Sequence, residues 1–117
     1  MARKHKRRGY AAQNERRDRR VPVSLLALID GENFLVRNIG FGGMSVTALG
    51  GDLAVGDPVA IKIKLDTGKR LVIVGEVTRY DGLIQYGISF SGLTPEAFAA
   101  IEGFQTRARK PPSPTYR

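Results

Sequence analysis

Short apolar runs separated by turn residues dominate the middle of the chain. Two of the turns contain Asp-Gly, at Asp30-Gly31 and Asp81-Gly82, and this dipeptide is a strong signal for a β-hairpin. In Ile61–Leu65 apolar and polar residues alternate, as in a strand with one buried face. The runs predict six strands, at residues 21–29, 34–39, 44–49, 59–65, 71–80 and 84–90. Because closure removes exposed strand edges, we predict a mainly β fold, a six-stranded antiparallel barrel.

One helix is predicted after the last strand. Thr94 is a good N-cap, Pro95 suits the first helical position, and Glu96 suits the positive end of the helix dipole. An apolar stripe follows at three- and four-residue spacing, formed by Ala97, Phe98, Ile101 and Phe104. We interpret this helix as a lid on one end of the barrel. The alternative is a helix that binds a partner.

The composition excludes several classes of chemistry. The chain has 117 residues, which is one domain, with no cysteine and a single histidine, His5, in a basic run. Disulfide frameworks, zinc-finger spacings and triads with a placed histidine are therefore excluded. The aspartates lie beside turn residues, and the sequence has no nucleophile–base pair, metal cluster or phosphate-binding loop. We therefore expect no enzyme, no metal and no cofactor.

Positive charge is concentrated at the two ends of the chain. Residues 1–20 hold nine Lys or Arg and two acids, and residues 107–117 hold four Lys or Arg and no acid. Residues 21–106 hold six Lys or Arg and nine acids, so the body is mildly acidic. We expect a disordered basic segment over residues 1–14, a domain over 15–106 and a disordered basic tail over 107–117. No apolar run is long enough to cross a bilayer, so we expect a cytoplasmic protein without membrane insertion.

Two short stretches carry the candidate chemistry. Arg16 and Arg20 are guanidinium groups four residues apart, and Asn38 precedes a turn that is rich in glycine. Arginine reads the O6 and N7 acceptors of guanine and also binds phosphate, while an asparagine amide donates and accepts hydrogen bonds. Gly40 and Gly43 allow a ligand to approach the backbone closely. The alternative interpretation is a hairpin turn beside a solvated basic tail.

These stretches resemble the PilZ domain family, whose signature is RxxxR in a linker followed by [D/N]xSxxG in the barrel. Arg16 and Arg20 match the first motif, and Asn38 and Gly43 match the second. Further similarity lies in Gly75-Glu76-Val77, in Tyr86-Gly87-Ile88-Ser89-Phe90 and in Leu93-Thr94-Pro95-Glu96. The resemblance covers about residues 15–106. RxxxR alone has little specificity in so basic a chain, but the ordered series of features is specific.

The resemblance implies a barrel with a terminal helix that binds cyclic di-GMP, a bacterial second messenger. Arg16 and Arg20 would contact guanine edges and phosphate, with Arg17 as a neighbouring candidate. Asn38 would bond a guanine, and Gly43 would keep the turn clear of the ligand. The linker would change conformation on binding and signal to an unidentified downstream protein, with motility or exopolysaccharide production as typical outputs.

One motif position departs from the family pattern. Gly40 stands where the motif has serine, so a hydroxyl that would contact the base is missing. A hydrogen bond of this kind contributes about 0.5–1.5 kcal/mol, so we expect weaker binding and not its loss. An adaptor that binds protein but no nucleotide is the alternative.

A different class of function is a small barrel that binds RNA or DNA through its basic ends. The acidic body and the lack of a series of stacking aromatics disfavour it. Three further residues have open interpretations. Arg79 and Tyr80 either border the ligand or face solvent, and Phe41 is interpreted as an anchor onto the barrel.

Overall fold

The computed structural model describes residues 19–109. The elements are β1 (Val21–Ile29), β2 (Glu32–Ile39), β3 (Gly43–Ala48), β4 (Pro58–Lys64), β5 (Arg70–Gly82), β6 (Gln85–Gly92) and α1 (Pro95–Arg109). The strands form a closed antiparallel barrel in the order β1-β2-β3-β6-β5-β4, with β4 pairing back onto β1. The predicted fold class is confirmed.

Alternation along the strands places one set of side chains inside the barrel. Phe34 and Val36 on β2 are fully buried, as are Met44 and Val46 on β3. They pack with aliphatic residues from each of the four remaining strands, among them Ile29, Ile61, Ile63, Ile73, Val77 and Ile88. The residues between them point outward, so each strand contributes to the core and to the outer surface.

Two hairpin turns use positive backbone φ angles, but different residue types. Asp30 and Gly31 connect β1 to β2 with φ of 52° and 80°, as predicted from the Asp-Gly pair. The turn predicted at Asp81-Gly82 lies two residues later, because β5 continues through Gly82. Leu83 and Ile84 form that turn, with φ of 53° and 64°. The prediction placed Ile84 in the last strand, and the apolar pattern gave no sign of the turn.

Gly75 marks both a shift in strand pairing and a close approach of two strands. The pairing of β5 with β6 shifts between Val74 and Gly75. A Cβ at Gly75 would overlap the carbonyl oxygen of Ser89 on β6. Gly75 therefore marks both features, because only a residue without a side chain lets the two backbones approach so closely.

Helix α1 begins as the sequence predicts. The Oγ1 of Thr94 accepts a hydrogen bond of 3.1 Å from the backbone N–H of Ala97. Ala97 and Ile101 are fully buried and belong to the barrel core, so the helix packs onto the barrel. The helix continues to Arg109, three residues beyond the domain end expected at residue 106.

The predicted apolar stripe needs one correction. Phe98 is 47% exposed and lies at the border of the packed face, whereas Gln105 is only 8% exposed. Buried positions follow the four-residue spacing of Ala97, Ile101 and Gln105, with Phe104 packed beside them. Periodicity alone included Phe98 because three- and four-residue spacings both keep a residue near one face. Among the described residues, no helix has the length and apolar character needed to cross a membrane.

Candidate functional site

Arg20 and Asn38 meet on the outer surface of the barrel. Asn38 faces outward because the pairing of β2 with β3 shifts between Val36 and Asn38, where Arg37 is the extra residue. The Nη1 of Arg20 donates to the Oδ1 of Asn38 at 3.3 Å and to the Oγ of Ser45 at 3.5 Å. The linker arginine therefore lies over the end of β2 and the neighbouring position of β3.

The connection between β2 and β3 is held by its neighbours. The backbone N–H of Gly40 donates to the carbonyl oxygen of Gly43 at 2.9 Å. The carbonyl oxygen of Gly42 accepts from the N–H of Phe90 on β6 at 2.8 Å. Phe41 stacks on Phe98 of α1 with ring centroids 4.5 Å apart and planes 19° apart. Phe41 thus anchors the turn onto the helix, and the turn offers a fixed surface beside Arg20.

Gly43 is required by the close approach of two strands and of Arg20. A Cβ at this position would overlap the carbonyl oxygen of Ile88 on β6. It would also lie 2.9 Å from the Nη2 of Arg20. The motif glycine therefore has a structural reason that is independent of any ligand.

Outward-facing residues form one row across four strands. Asn38 on β2 pairs with Ser45 on β3, Ser45 pairs with Gly87 on β6, and Gly87 pairs with Arg79 on β5. A Cβ at Gly87 would lie 3.0 Å from the Cζ of Arg79, so the guanidinium group lies over this glycine. The Nε of Arg79 donates to the Oδ1 of Asp81 at 2.8 Å. Arg20 and Arg79 thus flank a shallow strip formed by an amide, a hydroxyl and a glycine.

Comparison with known proteins assigns the barrel to a family. The family model described as PilZ domain matches residues 3–105, which is most of the chain. The chain belongs to the PilZ domain family. PilZ domains are receptor or adaptor domains, and the family binds cyclic di-GMP as a ligand.

Solved structures of similar fold include an inhibitor of motility and a PilZ domain. The Bacillus subtilis inhibitor of motility, MotI/DgrA, matches with a TM-score of 0.61 and 19% identity, over 78% of this chain and 51% of that chain. The present chain thus spans about half of the length of that protein. The PilZ domain of CeSA from a cellulose-synthesizing bacterium matches with a TM-score of 0.58 and 18% identity, over 74% of this chain and 97% of that chain. No curated protein matches the sequence.

Within the PilZ domain, three of the predicted site residues lie together. Arg20, Asn38 and Gly43 form one cluster on the outer surface, as described above. Gly40 is buried in the adjoining turn, where its N–H donates a hydrogen bond to the carbonyl oxygen of Gly43. Arg16 and Arg17 lie outside the described residues, so their positions stay a prediction.

Sequence reasoning did not select Ser45 or Gly87. Ser45 lies two residues after Gly43, between the buried Met44 and Val46, so the alternation of β3 already indicates that its side chain faces outward. Nothing local in the sequence shows that Gly87 pairs with Ser45, because that contact depends on the pairing of β3 with β6. Among residues 19–109, no group of three or more His, Cys, Asp or Glu side chains is arranged to hold a metal ion.

Proposed function

We propose that this PilZ domain binds cyclic di-GMP on the strip between Arg20 and Arg79. The observation that carries the proposal is the position of Arg20, whose guanidinium group lies beside the amide of Asn38 and the hydroxyl of Ser45. Asn38 supplies a donor and an acceptor for a guanine edge. Gly87 has no side chain, so the guanidinium group of Arg79 can lie across this end of the strip.

The geometry around Arg20 suits exchange of its present partners for a ligand. Its hydrogen bonds to Asn38 and Ser45 are long, at 3.3 and 3.5 Å. A phosphate oxygen or the O6/N7 pair of guanine would form shorter, charge-assisted bonds of about 2.7–2.9 Å. A bound nucleotide would therefore replace these two hydrogen bonds by stronger ones.

Arg16 and Arg17 are proposed to complete the site from the linker. Arg16 precedes Arg20 by four residues, so a linker folded over the nucleotide would bring a second guanidinium group to it. Ordering of this segment on binding would change the surface that the protein presents to a downstream protein partner. We place this signalling in the cytoplasm, where the nucleotide would be encountered, with motility or exopolysaccharide production as the type of output.

A second candidate function is an adaptor that binds protein without the nucleotide. The observation in its favour is Gly40, which removes the motif hydroxyl. The hydroxyl of Ser45, on the same outer surface next to Asn38, supports retention of binding because it offers a replacement polar group.

Calorimetric titration with cyclic di-GMP tests the proposal. We expect Arg20→Ala to weaken binding about tenfold or more, since a charge-assisted hydrogen bond contributes about 1.5–3 kcal/mol. Lys69→Ala is the matched control, because it removes one exposed positive charge from the turn between β4 and β5. If the barrel is folded and the titration gives neither heat nor changes in amide chemical shift, the adaptor function is favoured. Equal losses in both variants would indicate unspecific attraction by charge.

A further inference from the structure

A different part of the barrel surface combines aliphatic and basic side chains. We call it the β1–β4–β5 face, and it consists of Leu26, Leu28, Lys62, Lys64, Arg70 and Val72. All six residues are exposed, and Leu26 and Val72 are each about half exposed, at 49% and 52%. Single exposed aliphatic residues are common on proteins, but three of them together with three cations on the consecutive strands β1, β4 and β5 form one mixed apolar and basic surface.

The strand register brings these side chains into neighbouring rows. Leu28 on β1 pairs with Lys62 on β4, and Lys62 pairs with Val72 on β5. In the next row, Lys64 on β4 pairs directly with Arg70 on β5. Like charges opposite each other destabilise a sheet, so this pair lowers the stability of the barrel.

No acidic side chain of the described region neutralises these cations. Among residues 19–109, Lys62, Lys64 and Arg70 have no carboxylate within salt-bridge distance. Residues 21–106 contain only six Lys or Arg against nine acids, and three of those six lie on this face. An otherwise acidic body therefore has half of its Lys and Arg residues beside exposed aliphatic side chains on one face, where a negatively charged partner would relieve the repulsion.

The shape of the face favours a protein segment over a membrane or a nucleic acid. A groove of about 240 Å³ is lined by Leu26, Leu28, Asn33, Lys62, Lys64 and Arg70, together with Ala27. A side chain of a bound segment can enter such a groove, whereas a flat bilayer surface cannot. The groove has no aromatic residue on which a base could stack.

We propose that the β1–β4–β5 face is a docking site for an acidic, amphipathic segment of a partner protein. Apolar side chains of that segment would pack on Leu26, Leu28 and Val72, and its carboxylates would bind Lys64 and Arg70. This inference concerns the partner and does not depend on nucleotide binding. The nucleotide strip runs over Asn38, Ser45 and Gly87 on β2, β3 and β6, so both surfaces can be occupied together.

Charge argues against the other occupants of this face. Outside the described residues, residues 1–18 hold seven Lys or Arg and two acids, and residues 110–117 hold two Lys or Arg and no acid. Both ends are therefore repelled by Lys62, Lys64 and Arg70. A second copy that used the same face would bring these cations against their own equivalents across a two-fold axis. An acidic partner of different sequence remains as the occupant.

The test is a titration of the ¹⁵N-labelled 117-residue chain with a synthetic peptide that carries glutamate on one helical face and leucine on the other. The basic ends of the chain attract any acidic peptide, so the location of the amide shift changes decides the outcome. We expect changes in amide chemical shift on β1, β4 and β5 that reach a plateau as the peptide concentration rises. A peptide with serine in place of leucine should bind about tenfold more weakly, because its apolar contacts are lost.

Lys64→Glu is the decisive variant because it removes the repulsion while it reverses the charge. It creates an opposite-charge pair with Arg70, so the melting temperature should rise or stay unchanged. Peptide affinity should nevertheless fall about tenfold, since a favourable ionic contact becomes repulsive. Leu28→Ser should weaken binding by a similar factor through the loss of apolar contact.

Arg37→Glu is the matched control, because it makes the same charge change at an exposed position of β2 outside this face. Its affinity for the peptide should equal that of the unaltered protein. Shift changes confined to the basic ends would overturn the proposal, as would equal affinity losses in Lys64→Glu and Arg37→Glu. Self-association through this face, measured as a mass that rises with concentration and falls in Lys64→Glu, would also overturn it.

Discussion

The side-chain amide of Gln105, near the end of α1, donates a 2.7 Å hydrogen bond to the backbone carbonyl oxygen of Arg19. Arg19 immediately precedes Arg20, whose guanidinium group contacts Asn38. The helix therefore holds the linker at the residue before the candidate ligand-binding arginine. Through this bond, a conformational change of the linker would displace the helix, and a movement of the helix would displace the linker.

Replacement of Gln105 should loosen the linker. We expect Gln105→Ala to lower the free energy of unfolding by about 1 kcal/mol, because the lost hydrogen bond is partly replaced by water at the exposed Arg19. Affinity for cyclic di-GMP should fall severalfold, since Arg20 is no longer preorganised. Thermal unfolding and calorimetry measure both effects. Thr106→Ala, at the exposed next position, is the control, and equal behaviour of the two variants would contradict this coupling.

Restoring the motif hydroxyl should strengthen nucleotide binding. Gly40 does not have a positive φ, so serine can adopt its backbone conformation. We expect Gly40→Ser to increase affinity for cyclic di-GMP up to about tenfold, the contribution of one hydrogen bond. Ser45→Ala should decrease affinity if its hydroxyl is the replacement group, and calorimetry measures both. Unchanged affinity in Gly40→Ser would show that the missing hydroxyl does not limit binding.

A side chain at Gly43 should damage the barrel before it affects a ligand. We expect Gly43→Ala to destabilise the fold by about 1–3 kcal/mol, because its Cβ would overlap the carbonyl oxygen of Ile88 and separate β3 from β6. Denaturant unfolding measures the change. Gly92→Ala is the control, since a Cβ there meets no atom within 4 Å. If both variants are equally stable, the close approach at Gly43 is relieved without cost.

Replacement of the turn residues Leu83 and Ile84 should stabilise the barrel. Both residues have positive φ, which is unfavourable for leucine and more so for the β-branched isoleucine, whereas Asn-Gly adopts it readily. We expect the double replacement Leu83→Asn and Ile84→Gly to stabilise the barrel by about 1–3 kcal/mol. Thermal unfolding measures the gain.

The reciprocal experiment uses the other hairpin. Asp30 and Gly31 have similar positive φ, so their double replacement by leucine and isoleucine should destabilise the barrel by a comparable amount. A loss of stability in the first double variant, or no loss in the second, would show that the backbone angles of these turns carry little strain.

Local sequence was sufficient wherever one residue type has a strong physical preference. Asp30-Gly31 predicted a hairpin because glycine tolerates positive φ. Thr94 and Pro95 predicted the start of α1 because the first helical turn needs a capping oxygen and tolerates proline, which has no backbone N–H. The same approach failed at Leu83-Ile84, since apolar residues in a turn resemble the continuation of a strand.

The candidate site likewise has residues that the sequence identified and contacts that only the structure shows. The spacing of Arg16 and Arg20 and the series from Asn38 to Gly43 were visible in the sequence, and with them the resemblance to the PilZ domain. Which side chains surround Arg20 was not visible. Ser45 reaches it through the pairing of β2 with β3, and Gly87 joins the strip through the pairing of β3 with β6.

The sequence by itself determined the six strands, the terminal helix and the residue types available for binding, because alternation, turn chemistry and capping act over a few neighbouring residues. Only the tertiary structure decided which of these residues meet. Barrel closure brings Lys64 against Arg70 on one face and Arg20 against Asn38 on another. Packing of α1 then brings Gln105 to Arg19, which lies 86 residues earlier in the chain. Contacts over such separations depend on strand register and helix packing, which no local pattern encodes.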